Sequence, residues 1–202
     1  MDIPGRWRLR KRKPPGPALS SMVDEELAGL APVEPEAFAE IYERYVDGVY
    51  GYCYRRLGNR ETAEDATSLI FSKALAAISR FQPKSTIRSW IFTIAHNVIT
   101  DQYRIAGKAQ LESLDPTWDI ADREPSPEEI AIFRETQDML QQLLNYLTVD
   151  QRRVIELRLS DLTGPEIQDV LGETRSWVNT TQFRAIQRMR RVLAEMNGGP
   201  HV

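Results

Sequence analysis

The sequence predicts an all-α protein built from two small helical domains joined by an acidic connector. Three observations carry that expectation. Apolar residues recur three and four apart in two separate stretches, with no strand-like alternation in either. Between them lies ESLDPTWDIADREPSPEE, which combines three prolines with a dense acidic load. Near the C-terminus a short helix, a glycine turn and a longer basic helix are expected in succession.

Taken in order, the first 22 residues carry six Lys or Arg against the single acid Asp2. No apolar run follows WRLRKRK, so residues 1–22 are expected to be a disordered basic tail and not a signal peptide. Met22 is an alternative start. The first domain is expected over 23–110. Phe38, Ile41, Tyr45, Val49, Tyr52 and Leu57 share one helix face, and Gly58-Asn59 ends that helix. A second helix is predicted from about Glu61 to Ile78, with Ala66, Leu69, Ile70, Ala74 and Ile78 inward. Phe81 to Thr86, containing Pro83, reads as a loop. A third helix, from about Ile87 to Ile105, is expected to bury Trp90, Ile91, Ile94, Ala95 and Val98. Residues 111–133 form the acidic linker, helices resume at about Pro127, the second domain spans 134–195, and 196–202 is a frayed tail.

Charge and composition narrow the function. The net charge of −3 over 202 residues excludes a protein that coats nucleic acid by bulk attraction. The distribution is more informative: residues 38–110 carry ten basic against seven acidic residues, and 147–193 carry eight against six. Two mildly basic modules flanking an acidic segment suit site-selective DNA contact. Cys53 is the only cysteine, which excludes an intrachain disulfide and suits a cytoplasmic protein with a buried thiol. No 18-residue apolar run is present, so no membrane insertion is expected. His96 and His201 are the only histidines, and there is no phosphate-binding glycine loop, metal-ligand spacing or nucleophile–base pattern. An enzyme is therefore not expected, nor a cofactor or metal.

The segment LTGPEIQDVLGETRSWVNTTQFRAIQRMRRVL carries the sharpest local signals. Thr163 and Glu166 have capping-box spacing, with Pro165 tolerated in the first turn. Gly172 supplies the left-handed residue that reverses the chain, and Thr174 is an N-cap for the next helix. Val178, Gln182, Ala185 and Met189 share the inward face, and Trp177 packs in the core or at the turn. The outward face offers Arg175, Ser176, Asn179, Thr180, Arg184 and Arg188, side chains suited to base edges and phosphates in a major groove. The bland alternative is a solvated face on a helical hairpin.

These two blocks resemble the sigma-70 family of RNA polymerase subunits, and within it the extracytoplasmic-function (ECF) sigma factors. AEDATSLIFSKAL and SWIFTIAHNVITDQYR look like parts of sigma region 2; LLNYLTVDQRRVIELRLSDLTGPEIQDVLGETRSWVNTTQFRAIQRMRRVL looks like region 4. The resemblance implies an alternative sigma factor that binds the β and β′ subunits of polymerase core and directs initiation at promoter DNA. It implies core-binding residues Asp65, Thr67, Ser68, Phe71 and Lys73, and a −35 reader in the Arg175–Arg188 face. It also implies a −10 reader in the helix from Trp90 to Arg104, with Phe81 to Arg88 helping to form a pocket for a flipped base. Periodicity alone already places Asn97, Asp101 and Arg104 on one stripe, with His96, Thr100 and Tyr103 beside it. Such a polar and aromatic surface can stack on and hydrogen-bond unpaired bases. An anti-sigma factor is an expected partner on the resemblance alone. Two other readings stay open: a stand-alone helix-turn-helix regulator acting without polymerase, and an adaptor that binds polymerase but not DNA.

Overall fold

The computed structural model describes residues 19–106 and 139–197. The predicted acidic linker and nearly all of both predicted tails lie outside the described residues. Eight α-helices are described: α1 Asp24–Leu30, α2 Pro35–Leu57, α3 Arg60–Ala77, α4 Ile87–Ala106, α5 over 139–145, α6 Val149–Arg158, α7 Gly164–Leu171 and α8 Arg175–Asn197. The described residues contain no strand, as the missing alternation predicts.

Helix ends follow local chemistry. Gly58, at φ 70°, closes α2 and donates its N–H to the Tyr54 carbonyl. Asn59 then caps α3, its side chain accepting from Thr62 N–H at 3.0 Å. Thr86 caps α4, its hydroxyl accepting from Ser89 N–H at 3.1 Å. Thr148 with Gln151 and Thr163 with Glu166 form capping boxes at the starts of α6 and α7. Gly172, at φ 69°, reverses the chain after α7, and Thr174 accepts from Trp177 N–H in the first turn of α8. The helix-turn-helix thus forms for the reasons its residues suggest.

Helices α1 to α4 pack around Leu27, Ile41, Val49, Tyr52, Ile70, Ile87, Ile91 and Ile99, all under 2 % exposed. Cys53 is fully buried among them, and burial pushes its thiol up to about 12. That is the inert structural thiol expected of its apolar setting. Four details differ from expectation. Leu69 points outward, 44 % exposed, because Ala63, Ala66, Ile70 and Ala74 define the buried stripe of α3. Trp90 and Ile94 are half-buried at the edge of the core rather than inside it. Helix α1 has no counterpart in the sequence reading, and it covers the core with Leu27 and Ala28. Residues 19–22, assigned to the tail, are held on α2, where Arg44 donates to the carbonyls of Leu19, Ser20 and Met22 and pairs with Asp24 at 2.8 Å.

The two modules do not stand apart. Val154, Leu157, Leu162, Ile167, Val170 and Val178 belong to the same continuous core as the helices of the first module. Helix α7 lies on α4 and α6 approaches α2. A smaller core of Leu144, Leu147, Ile155 and Ala185 ties α5 and α6 to α8.

Candidate nucleic-acid interface

Helix α4 presents the first candidate surface. Its apolar side holds Ile87, Ile91, Phe92, Ala95, Val98 and Ile99 in the core, which turns Asn97, Thr100, Asp101, Tyr103 and Arg104 outward. Arg104 and Asp101 pair at 3.2 Å on that face. Both are well exposed, so the pair is easily exchanged for another partner. The Tyr103 hydroxyl donates to the Arg56 carbonyl, and the Arg56 guanidinium sits 5.0 Å above the Tyr103 ring.

His96 and Trp90 are placed differently. His96 is half-buried with Nδ1 3.3 Å from the Tyr52 hydroxyl, and burial, then Arg153 and Arg56, push its imidazole down to about 4. It is therefore neutral at pH 7 and cannot serve as a phosphate cation in this packing. Trp90 meets Phe81 edge-on at 5.5 Å, so the loop expected to form a base pocket is anchored to α4 by an aromatic pair. That loop also touches the second module. The Thr86 hydroxyl donates to Glu166 at 2.8 Å, and Arg88 donates to the Asp161 carbonyl at 3.0 Å.

Helix α8 presents the second surface. Arg175, Ser176, Asn179, Thr180, Arg184 and Arg188 are all exposed, while Val178 and Ala185 are fully buried. Gln182 turns inward and accepts from Arg158 Nε at 2.9 Å. The sequence reading missed Phe183, which is 64 % exposed beside Arg184. With Tyr146, Val192, Arg188 and Arg191 it lines an open groove between α8 and the turn that joins α5 to α6. An aromatic residue one position off the inward stripe was the available signal.

Of the five residues assigned to core binding, Asp65, Ser68 and Lys73 are exposed on α3. Thr67 and Phe71 are not. Thr67 donates its hydroxyl to the Ala63 carbonyl at 2.7 Å, and Phe71 packs edge-on against Tyr42 at 4.7 Å. These two shape the helix from inside, and the exposed face of α3 gains Leu69 and Leu75 instead.

The comparisons with known proteins agree with this layout. The Sigma-70 region 2 model matches residues 41–108 and the Sigma-70 region 4 model matches 137–189. ECF RNA polymerase sigma factor BldN of Streptomyces coelicolor is 30 % identical over 187 residues, covering 91 % of this chain and 70 % of that protein. RNA polymerase sigma factor YlaC of Bacillus subtilis is 30 % identical over 152 residues, covering 74 % and 88 %. ECF sigma factor SigW of Bacillus subtilis is 27 % identical over 187 residues, covering 88 % and 100 %. Among solved structures, CnrH in complex with the cytosolic domain of CnrY superposes with a TM-score of 0.66 at 23 % identity, covering 85 % of this chain and 97 % of that one. RpoE in complex with the anti-sigma factor NepR from Bartonella quintana gives 0.62 at 21 % identity, covering 77 % and 96 %.

The chain belongs to the sigma-70 family, as an ECF sigma factor. It is an alternative sigma factor, a transcription initiation factor that works with RNA polymerase core and promoter DNA. That membership sets aside the stand-alone regulator and the adaptor without a DNA role. Among the described residues no helix is long and apolar enough to cross a membrane.

Proposed function

We propose that α4 reads and opens the −10 element through Asn97, Thr100, Asp101, Tyr103 and Arg104, with Trp90 and the Phe81–Arg88 loop framing the base pocket. Helix α8 reads the −35 element through Arg175, Ser176, Asn179 and Thr180, while Arg184 and Arg188 hold phosphates. The exposed face of α3, with Asp65, Ser68 and Lys73, docks on polymerase core. Thr67 and Phe71 support that face from beneath. The acidic segment 111–133 passes through the polymerase channel that RNA later occupies, its charge mimicking nucleic acid. The protein acts in the cytoplasm under an anti-sigma factor, a reading supported by the likeness to RpoE of Bartonella quintana, solved in complex with the anti-sigma factor NepR.

One observation supports this reading most. Two polar, base-competent helix faces are exposed opposite the side that each helix packs inward, one in each of the modules that match sigma regions 2 and 4. The test is holoenzyme transcription from a library of promoters varied separately at the two elements. Asn97→Ala should change preference only at −10, and Asn179→Ala only at −35. Either substitution shifting preference at the other element overturns the assignment.

A further inference from the structure

The boundary between the modules holds a charge arrangement that packing alone does not explain. Arg55 and Arg56 end α2, and Glu156 on α6 faces them with its side chain fully buried. Glu156 Oε2 accepts from Arg56 Nη1 at 3.1 Å, and its Oε1 accepts from Arg152 Nε at 2.7 Å. Arg55 Nη2 donates to the Ser160 hydroxyl at 2.6 Å, and Arg152 Nη2 donates to the Arg55 carbonyl at 2.8 Å. Arg153 stands beside them, its own carboxylate partner being Asp150 at 3.6 Å.

The cations outnumber their counter-charge. Two guanidiniums, of Arg56 and Arg152, meet at the one buried carboxylate of Glu156, and a third, of Arg55, reaches only the Ser160 hydroxyl and the Glu156 backbone carbonyl. The Nε atoms of Arg55, Arg56 and Arg153 are shielded from solvent and have no hydrogen-bond partner among the described residues. The Arg56 side chain is only 8 % exposed. Burial pulls the Arg55 guanidinium below its ordinary value; at Arg56 burial acts the same way, but the Glu156 carboxylate together with Tyr52 and Tyr103 more than offsets it. A buried cation with an idle donor is costly unless it finds a full partner.

Arg56 is also tied to the DNA-reading helix. Its guanidinium covers the Tyr103 ring and its carbonyl accepts the Tyr103 hydroxyl, one turn from Thr100 and beside Arg104. Both contacts lie within the first module and survive separation of the two. Separation is required on the proposed reading of the two helices. Promoter elements at −10 and −35 lie about 25 base pairs apart, roughly 80 Å along a duplex rising about 3.4 Å per pair. Here α7 touches both α4 and α8, and helices in contact lie about 10 Å apart.

We infer that Arg55 and Arg56 form a binding site for a promoter DNA backbone phosphate, masked in the packed chain by Glu156, which occupies the place of the phosphate. Carboxylate and phosphate offer the same paired oxygens to a guanidinium fork, so what binds one binds the other. When α6 leaves, the two arginines lose Glu156 and Ser160 together and open onto the edge of the α4 face. The site adds affinity without base preference, because a phosphate carries no sequence. This inference rests on α4 being the −10 reader.

The test uses the full chain assembled with polymerase core, binding a labelled promoter fork over a range of salt concentrations. Arg56→Ala should lower affinity about tenfold at low salt and reduce the slope of log K against log salt by about 1, equally for forks of different −10 sequence. Arg55→Ala should do the same, and it carries the test where Arg56→Ala loses helicity. In the free chain, Glu156→Gln should raise affinity for the same fork severalfold by unmasking the pair. Unchanged salt slopes in both arginine variants overturn the inference. If Asn97→Ala alters −10 preference in that case, the reading of α4 stands and only the phosphate site falls. If Asn97→Ala also has no effect, the reading of α4 fails and the site with it.

Discussion

The Thr86 hydroxyl joins two helix N-termini: it accepts from Ser89 N–H to cap α4 and donates at 2.8 Å to Glu166, which closes the capping box of α7. One hydrogen bond therefore couples a local device of the first module to a local device of the second. Thr86→Ala removes a cap and leaves Glu166 short of a donor. It should destabilise the chain by about 1–2 kcal/mol in urea unfolding. Thr86→Ser retains both bonds and should lie close to wild type.

At Glu156 the expected effect is larger. Glu156→Ala leaves Arg56 buried without its carboxylate, which should cost about 3–5 kcal/mol. The same loss should increase the radius of gyration of the free chain in solution scattering, because the missing partner bridges α6 and α2. A compact variant of unchanged stability would show that the pair does not hold the modules together.

His96 adds a pH dependence of defined sign. Its imidazole is held down to about 4 by burial, Arg153 and Arg56, whereas a released histidine titrates near 6.5. The packed chain therefore binds fewer protons than the unfolded chain between those values. The stability due to neutral His96 is complete above about pH 6.5 and is lost as pH falls toward 4. Glu166, whose capping-box bonds to Thr163 and bond from Thr86 outweigh burial, is held below the usual carboxylate range, so its loss comes at lower pH. Unfolding followed across this range should show the decline in wild type and a flatter profile in His96→Gln.

Asp161 turns the chain between α6 and α7 at φ 62°. A β-branched residue tolerates that left-handed conformation poorly, so Asp161→Val should cost about 1–2 kcal/mol. Asp161→Gly should not, and thermal unfolding of the two variants separates backbone strain from side-chain loss.

On the second surface, Arg184→Ala should reduce initiation from −35-dependent promoters about tenfold while leaving core affinity unchanged, as titrated with labelled chain. An equal fall in core affinity would place Arg184 at the polymerase rather than at DNA.

Much of this was legible in the sequence because it was local. Thr163, Glu166, Gly172 and Thr174 announce the helix-turn-helix through capping and turn chemistry that acts within a few residues. The α4 stripe follows from helical spacing alone. What escaped is long-range. Leu69 adjoins the buried stripe of Ala66, Ile70 and Ala74 in sequence, and a single position decides which face it occupies. The resemblance marks Thr67 and Phe71 for core binding without specifying which side of α3 they occupy, and both are buried. The shared core left one unused clue: Val154, Ile155, Glu156 and Leu157 are consecutive buried residues, so α6 is covered on more than one side. One full turn of buried residues, with a glutamate inside it, signals a partner that the helical period alone does not identify.

The most direct test of the chain as a polymerase-dependent promoter reader is run-off transcription on genomic promoter fragments, with purified core and with the chain added or withheld. Defined transcripts should arise only with both present, and they should weaken with Asn97→Ala and Arg184→Ala. Tight binding of the same fragments by the chain alone, with no core-dependent transcript from any of them, would contradict it.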